Sequence, residues 1–257
     1  MKLDILMSCM HQTDDALIHK SKITGSAVVV NQCDREGFTQ YGTVAMYDTT
    51  DRGLTRSRNM AIAKSDADVC LLCDDDEEFV ADYEQNILAA YERLPQADVI
   101  IFKMVNRPAS FPDKVQELKF PKTMKVSSWQ ISFRRESLLR AGVRFDERMG
   151  AGTGNGAEEE LKFLTDCRKA GLRIFYVPYA IASVAQTDST WFAGFNEKFF
   201  FDRGITTRYI LGAPLAILYG VYYVLRKRGM YAGQISTTGA MKAIFRGIKE
   251  NKLGKKG

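Results

Sequence analysis

Short apolar runs alternate along this chain with stretches of helical spacing. Residues 3–7, 27–30, 69–72, 99–102 and 174–177 are runs of four or five mostly apolar residues, a length typical of buried strands. Between them, residues 54–64, 82–94 and 158–170 carry helical spacing. Ile87, Leu88 and Tyr91 share one face of the second stretch. Leu161, Leu164 and Cys167 share one face of the third, with Gly171 as its C-terminal stop. Strands alternating with helices of about a dozen residues predict an α/β sheet covered on both faces. No internal repeat or low-complexity linker interrupts the pattern.

The last fifth of the chain has another character. Residues 209–225 (YILGAPLAILYGVYYVL) contain no charge, with Arg208 before them and Arg226, Lys227 and Arg228 after. Seventeen residues fall short of the roughly 20 that cross a bilayer. The run also holds Gly212, Pro214, Gly220 and four tyrosines. Tyrosines with flanking cations suit the headgroup layer. A helix lying in a membrane interface is the expectation, with packing against the sheet and true spanning as alternatives. The predicted division is a catalytic domain over residues 1–200 and a basic, amphipathic helical region over 201–257.

Charge follows the same division. Of the 257 residues, 36 are Lys or Arg and 31 are Asp or Glu, a net +5. From Phe201 onward there are 11 basic and 2 acidic residues, so this region carries +9 and the rest −4. Such asymmetry predicts an acidic partner for the tail. An anionic membrane surface fits better than nucleic acid, because the cations flank an apolar run and form no basic stripe with stacking aromatics. At 46% hydrophobic and 26% charged residues, the composition excludes wholesale disorder, collagen and a polytopic membrane protein. The five cysteines are scattered, and the start Met1-Lys2-Leu3-Asp4 reads as no signal peptide; free thiols in a reducing cytosol are expected. Cys70 and Cys73 form a CxxC inside an apolar run without a second pair, so core packing is the expected role.

Two acidic clusters carry the candidate chemistry. Asp74-Asp75-Asp76 follows the apolar run at 69–72 and precedes Glu77-Glu78. In an extended segment Asp74 and Asp76 face the same way. Two hard carboxylates at a strand's C-terminal end suit Mg²⁺ or Mn²⁺ shared with phosphate oxygens, and ligands of open α/β sheets bind at that edge. A solvated acidic loop or a calcium site is the alternative. Upstream, Gly53-Leu54-Thr55-Arg56-Ser57-Arg58-Asn59 opens a helix, whose free N–H groups favour anions. Arg56 and Arg58 cannot share one helix face, so one serves the site and the other the structure. The second cluster, Glu158-Glu159-Glu160, opens another helix.

The segment GLTRSRNMAIAKSDADVCLLCDDDEEF resembles the core of glycosyltransferase family 2. That family has a Gly-x-Ser/Thr-x-Ala/Ser-Arg-Asn helix, then an apolar strand ending in Asp-x-Asp. A second block, Phe145-Asp146-Glu147, Gly150-Ala151-Gly152 and Glu158-Glu159-Glu160-Leu161-Lys162-Phe163, is similar to the family's acceptor-side segment. The resemblance covers roughly residues 1–200. It implies a GT-A fold, a Rossmann-like mixed sheet flanked by helices, and a metal-dependent, inverting transfer from a nucleotide-sugar donor, most simply a UDP-sugar. It implies that Asp74 touches the donor and, with Asp76, the Mn²⁺ or Mg²⁺ ion. Arg58 would lie by the diphosphate, and Ser8 and Asn31 would frame base and ribose. Glu160 would be the general base, with Glu159 its neighbour.

The chain departs from the family's pattern at Ser8-Cys9-Met10-His11, at Asn31-Gln32-Cys33-Asp34, and in lacking a late histidine. The aromatic faces of Trp129 and Trp191 are candidate acceptor contacts, against the alternative of core packing. The tail and the resemblance together imply a peripheral enzyme on the inner face of the cell membrane, adding a sugar to a lipid-linked glycan in cell-surface polysaccharide synthesis. The alternatives are a sugar nucleotidyltransferase, which would want an early Gly-rich phosphate loop that this chain lacks, and a non-catalytic membrane or nucleic-acid adaptor.

Overall fold

The structure is a computed structural model, and it describes residues 1–155, 158–185, 194–250 and 252–254. Its strands are β1 (Leu3–Met10), β2 (Ser26–Gln32), β3 (Gly37–Tyr41), β4 (Val44–Thr49), β5 (Val69–Asp74), β6 (Glu77–Phe79), β7 (Val99–Met104), β8 (Gln116–Glu117), β9 (Ile131–Arg134) and β10 (Ile174–Val184). They form one sheet in the order β3-β4-β2-β1-β5-β9-β7-β10-β6, with β8 beside β10. β4, β2, β1 and β5 run parallel. β9 enters antiparallel between β5 and β7, which makes the sheet mixed. Each of the five apolar runs lies within a strand. The helices α1 (Ala16–Lys20), α2 (Leu54–Lys64), α3 (Tyr83–Arg93), α4 (Arg135–Ala141) and α5 (Glu159–Lys169) complete the layers. This is a GT-A-like arrangement, as expected.

Both sheet faces are packed, which is why the central strands are continuously apolar. One face buries Ile5, Met7, Val29 and Leu71 with Ile87 and Tyr91 of α3. The other buries Leu6, Val28, Leu72 and Phe133 with Ile62 of α2 and Phe163 and Leu164 of α5. All five cysteines are buried and free. Burial pushes the Cys9 and Cys70 thiols up to about 12, so they stay protonated and act as small apolar side chains.

The described chain divides into two compact units, residues 1–147 with 159–187, and residues 148–158 with 188–257. The Gly-rich segment Arg148–Glu158 groups with the C-terminal helices. The reason is local. Glu158 is ion-paired to Arg203 at 2.8 Å and accepts from the Thr206 hydroxyl at 3.0 Å, while Arg148 donates to the Tyr209 hydroxyl.

The second unit contains α6 (Glu197–Leu211), α7 (Ala213–Arg226), α8 (Arg228–Tyr231) and α9 (Thr237–Glu250). Its core gathers Phe200, Tyr223, Val224, Tyr231, Ala243 and Ile244. α6 and α9 touch backbone to backbone: a Cβ on Gly204 would collide with the Ile244 carbonyl, and one on Gly247 with that of Phe201. The uncharged run at 209–225 is not one helix. It breaks at Gly212, where φ is +78°, a conformation that favours glycine. Among the described residues no helix is long and apolar enough to cross a membrane.

Candidate active site

The C-terminal ends of β4, β2, β1 and β5 lie side by side. Asp48, Asn31 and Cys9 are neighbours in register, as are Val30, Ser8 and Asp74. α2 is drawn to this edge by its first residues. Gly53, at φ +124°, turns the chain there and donates its N–H to the Gln32 side chain at 2.8 Å. Ser57 of α2 donates to the Ser8 hydroxyl at 2.8 Å.

Asn31 is fully buried and serves as a connector. Its amide nitrogen donates to Asp48 at 2.7 Å and to the Gln12 carbonyl at 2.8 Å, while its oxygen accepts from the Gln12 N–H at 2.9 Å. It thereby pins the loop after β1. Asp48 also takes a hydrogen bond from Arg35. Burial would raise its carboxyl, but the bonds from Arg35 and Asn31 prevail and hold it below the usual range. Nothing in the sequence marked Asp48, because it sits inside the unremarkable Val44–Thr49 stretch.

Arg58 is the hub. It points inward from α2 and is 1% exposed. One guanidinium nitrogen donates to Asp74 Oδ1 at 2.8 Å and another to Glu159 Oε1 at 3.3 Å, and the group lies over the Phe145 ring. The charge of Glu160 also favours this cation. Asn59 takes and gives hydrogen bonds to the Phe145 backbone, at 2.9 and 3.0 Å, and the Phe145 ring stacks on Phe163 of α5. The Arg-Asn pair thus ties the two acidic blocks together. The guanidinium, expected to lie by the diphosphate, is enclosed here between the two carboxylates. Arg56 is the exposed partner of the pair, near Glu147 at 3.7 Å.

The acid run after β5 is not extended, contrary to expectation. It turns at Asp75 and Asp76 and returns as β6 against β10. Asp74 is held at both oxygens, by Arg58 and by the Ser128 hydroxyl at 3.0 Å. Glu77, 2% exposed, folds back to accept from the Asp74 N–H at 2.7 Å. Burial, then the charge of Asp74, pushes Asp75, Asp76 and Glu77 above the usual carboxylate range. Arg107 opposes this at Asp76 and lies over the half-buried Trp129 ring at 5.9 Å. Trp129 also packs on the core. Trp191 lies outside the described residues. Ser128, Arg107 and Glu77 were missed by sequence reasoning: they are distant in the chain or hidden within the acid run.

Crowded carboxylates with raised proton affinity suit a hard divalent cation. Among the described residues no three His, Cys, Asp or Glu side chains cluster in metal geometry. Asp74 has both oxygens engaged, so of the turn's acids Asp75 and Asp76 are the ones not tied to Arg58 or Ser128.

No family model matches the chain, and no curated protein sequence matches it. Solved structures do. The crystal structure of S. aureus TarS 1-349 in complex with UDP-GlcNAc superposes with a TM-score of 0.64 at 15% identity, covering 91% of this chain and 74% of that one. The same protein in complex with UDP gives 0.61 at 15% identity, covering 97% and 82%. At this identity the likeness shows the fold, a GT-A-like α/β architecture.

Proposed function

We propose that this chain is an inverting, metal-dependent glycosyltransferase of the family 2 type. It would take a sugar from a nucleotide-sugar, most simply a UDP-sugar, and pass it to a lipid-linked glycan in cell-surface polysaccharide synthesis. The observation that carries this is the Asp74–Arg58–Glu159 bridge. It joins the acid turn after β5 to the acids opening α5, at the edge where ligands of open α/β sheets bind. The likeness to TarS bound to UDP-GlcNAc supports the donor class.

In this reading the edge around Ser8, Asn31 and Asp48 receives the nucleoside, and Asp74 receives the donor's ribose or sugar. Asp76, with Asp74, would hold Mn²⁺ or Mg²⁺, which when bound offsets charge on the diphosphate. Arg107 supplies a cation in the same area. Glu160 takes the proton from the acceptor hydroxyl as its oxygen bonds to the anomeric carbon. The bond from that carbon to the diphosphate oxygen breaks, and its electron pair leaves with the nucleoside diphosphate. Glu159, paired to Arg58, fixes the start of α5, while the half-buried Trp129 offers a face to acceptor sugars. The test is a panel of UDP-sugars, followed for release of UDP with and without Mn²⁺. Metal-dependent UDP release lost in Glu160→Gln supports the reading. Pyrophosphate release from a nucleoside triphosphate and a sugar phosphate would replace it with nucleotidyl transfer.

A further inference from the structure

α7 is apolar on both sides. Ala216, Gly220, Tyr223 and Val224 face into the helical unit and are buried. On the opposite face Leu215, Leu218, Tyr222 and Leu225 form a row at spacings of three and four, and they are 43%, 66%, 58% and 59% exposed. A helix apolar all round is ordinarily covered all round. Directly after the row come Arg226, Lys227 and Arg228, all exposed and in no ion pair among the described residues. Met230 extends the apolar surface beyond them at 53% exposure.

We infer that this outer face of α7, with the Arg226-Lys227-Arg228 cluster, docks on an anionic lipid surface. Charge selects the occupant. The region from Phe201 onward carries +9, which draws it to acidic headgroups and sets two copies of it against each other. Length selects the mode. α7 has 14 residues, too few to span and enough to lie in the headgroup layer with its leucines down and its cations among phosphates. The structure also narrows the surface that the sequence pattern offered. Residues 209–211 end α6, which is packed against α9, so the membrane-facing part begins beyond Gly212. The inference adds a partner to the glycosyltransferase reading, which gives it a purpose: a lipid-linked acceptor is presented at such a surface.

The test is co-sedimentation of the full chain with vesicles of phosphatidylcholine alone or with 30% phosphatidylglycerol. Binding to the anionic vesicles, weakened by salt, is expected. Leu218→Glu/Leu225→Glu should bind at least tenfold less. Arg226→Gln/Lys227→Gln/Arg228→Gln should lose the preference for anionic over neutral vesicles. All these positions are exposed, and unchanged circular dichroism and thermal midpoint verify folding. Undiminished binding of the double glutamate variant, or no binding by the unmodified chain, overturns the inference. So does a wild-type dimer in sedimentation velocity that this variant dissociates, since a second copy would then cover the row. UDP titration of the same preparations separates the two claims. A chain that binds UDP but ignores vesicles ends the docking surface alone; one that binds vesicles but ignores UDP ends the donor reading alone.

Discussion

The two acidic runs, residues 74–76 and 158–160, look alike in sequence and are resolved alike in structure. Each would repel itself as three adjacent carboxylates. Each instead gives its first member to an arginine from a helix, Arg58 buried and Arg203 partly so. Asp74 goes to Arg58 of α2 and the Ser128 hydroxyl. Glu158 goes to Arg203 of α6 and the Thr206 hydroxyl. They differ in what remains. After Asp74, two acids stand at an open turn with raised proton affinity. After Glu158, Glu159 is taken up by Arg58, and Glu160 is the member that the proposed mechanism uses as base. Glu158 also bears strain, at φ +69°, which costs about 1–2 kcal/mol in a residue with a Cβ. The division between the two units falls just after it. The lesson is that a run of like charges is a set of separate roles, and cations assign them.

The comparison is broken most severely at Glu160. Glu160→Gln should lower turnover on the order of 10²–10⁴-fold with UDP affinity unchanged, read by steady-state kinetics and calorimetry. An equal loss in Glu159→Gln with none in Glu160→Gln would exchange their roles. Next come the arginines. Arg58→Met leaves Asp74 and Glu159 facing each other without a cation, and should cost about 3–5 kcal/mol in urea unfolding. Arg203→Met should do the same for Glu158, and an insensitive second variant would end the parallel. Lysine at position 58 should not restore stability, since one ammonium cannot fork between two carboxylates.

Smaller changes sharpen the contrast. Asp76→Asn should weaken Mn²⁺-dependent UDP binding roughly 10–100-fold, the scale seen when groups supporting a metal are removed. It should do so without loss of stability. A carboxyl raised in the folded state binds more protons there than in the unfolded chain, so its ionisation opposes folding as pH rises through the raised value. Mn²⁺ should therefore raise the thermal midpoint of the unmodified chain more than that of the variant. Asp48 has the opposite sign. Its carboxyl is lowered, so its contribution is present above the ordinary value near 3.9 and is lost as pH falls through the lowered one. Asp48→Asn should be slightly less stable at neutral pH, with the difference shrinking in unfolding curves as pH falls below the ordinary carboxylate range.

The central strands were legible because both faces of the sheet are covered. α2, α3 and α5 were legible from their spacing, with ends within a residue or so. The missed strands fail that pattern for physical reasons. β9 carries Ser132 in the core, satisfied by the Tyr91 hydroxyl and the Ile100 carbonyl. β3 is mostly exposed, with Phe38 on its surface. β6 is hidden in an acid run that looks like solvated loop. At the site, the acid motifs were legible, but their bend and the inward turn of Arg58 were not. Both depend on partners such as Ser128 and Glu159, 54 and 101 residues away. In the tail, Gly212 and Pro214 hinted at a break, but only packing shows which face of α7 stays open.

The most direct measurement is calorimetric titration of the full chain with UDP in Mn²⁺, repeated in EDTA and with Asp76→Ala. The account expects saturable binding in Mn²⁺ that is abolished in EDTA and lost or greatly weakened in the variant, at unchanged thermal stability. UDP binding that ignores both the metal and Asp76, or no binding to a folded chain, would contradict it.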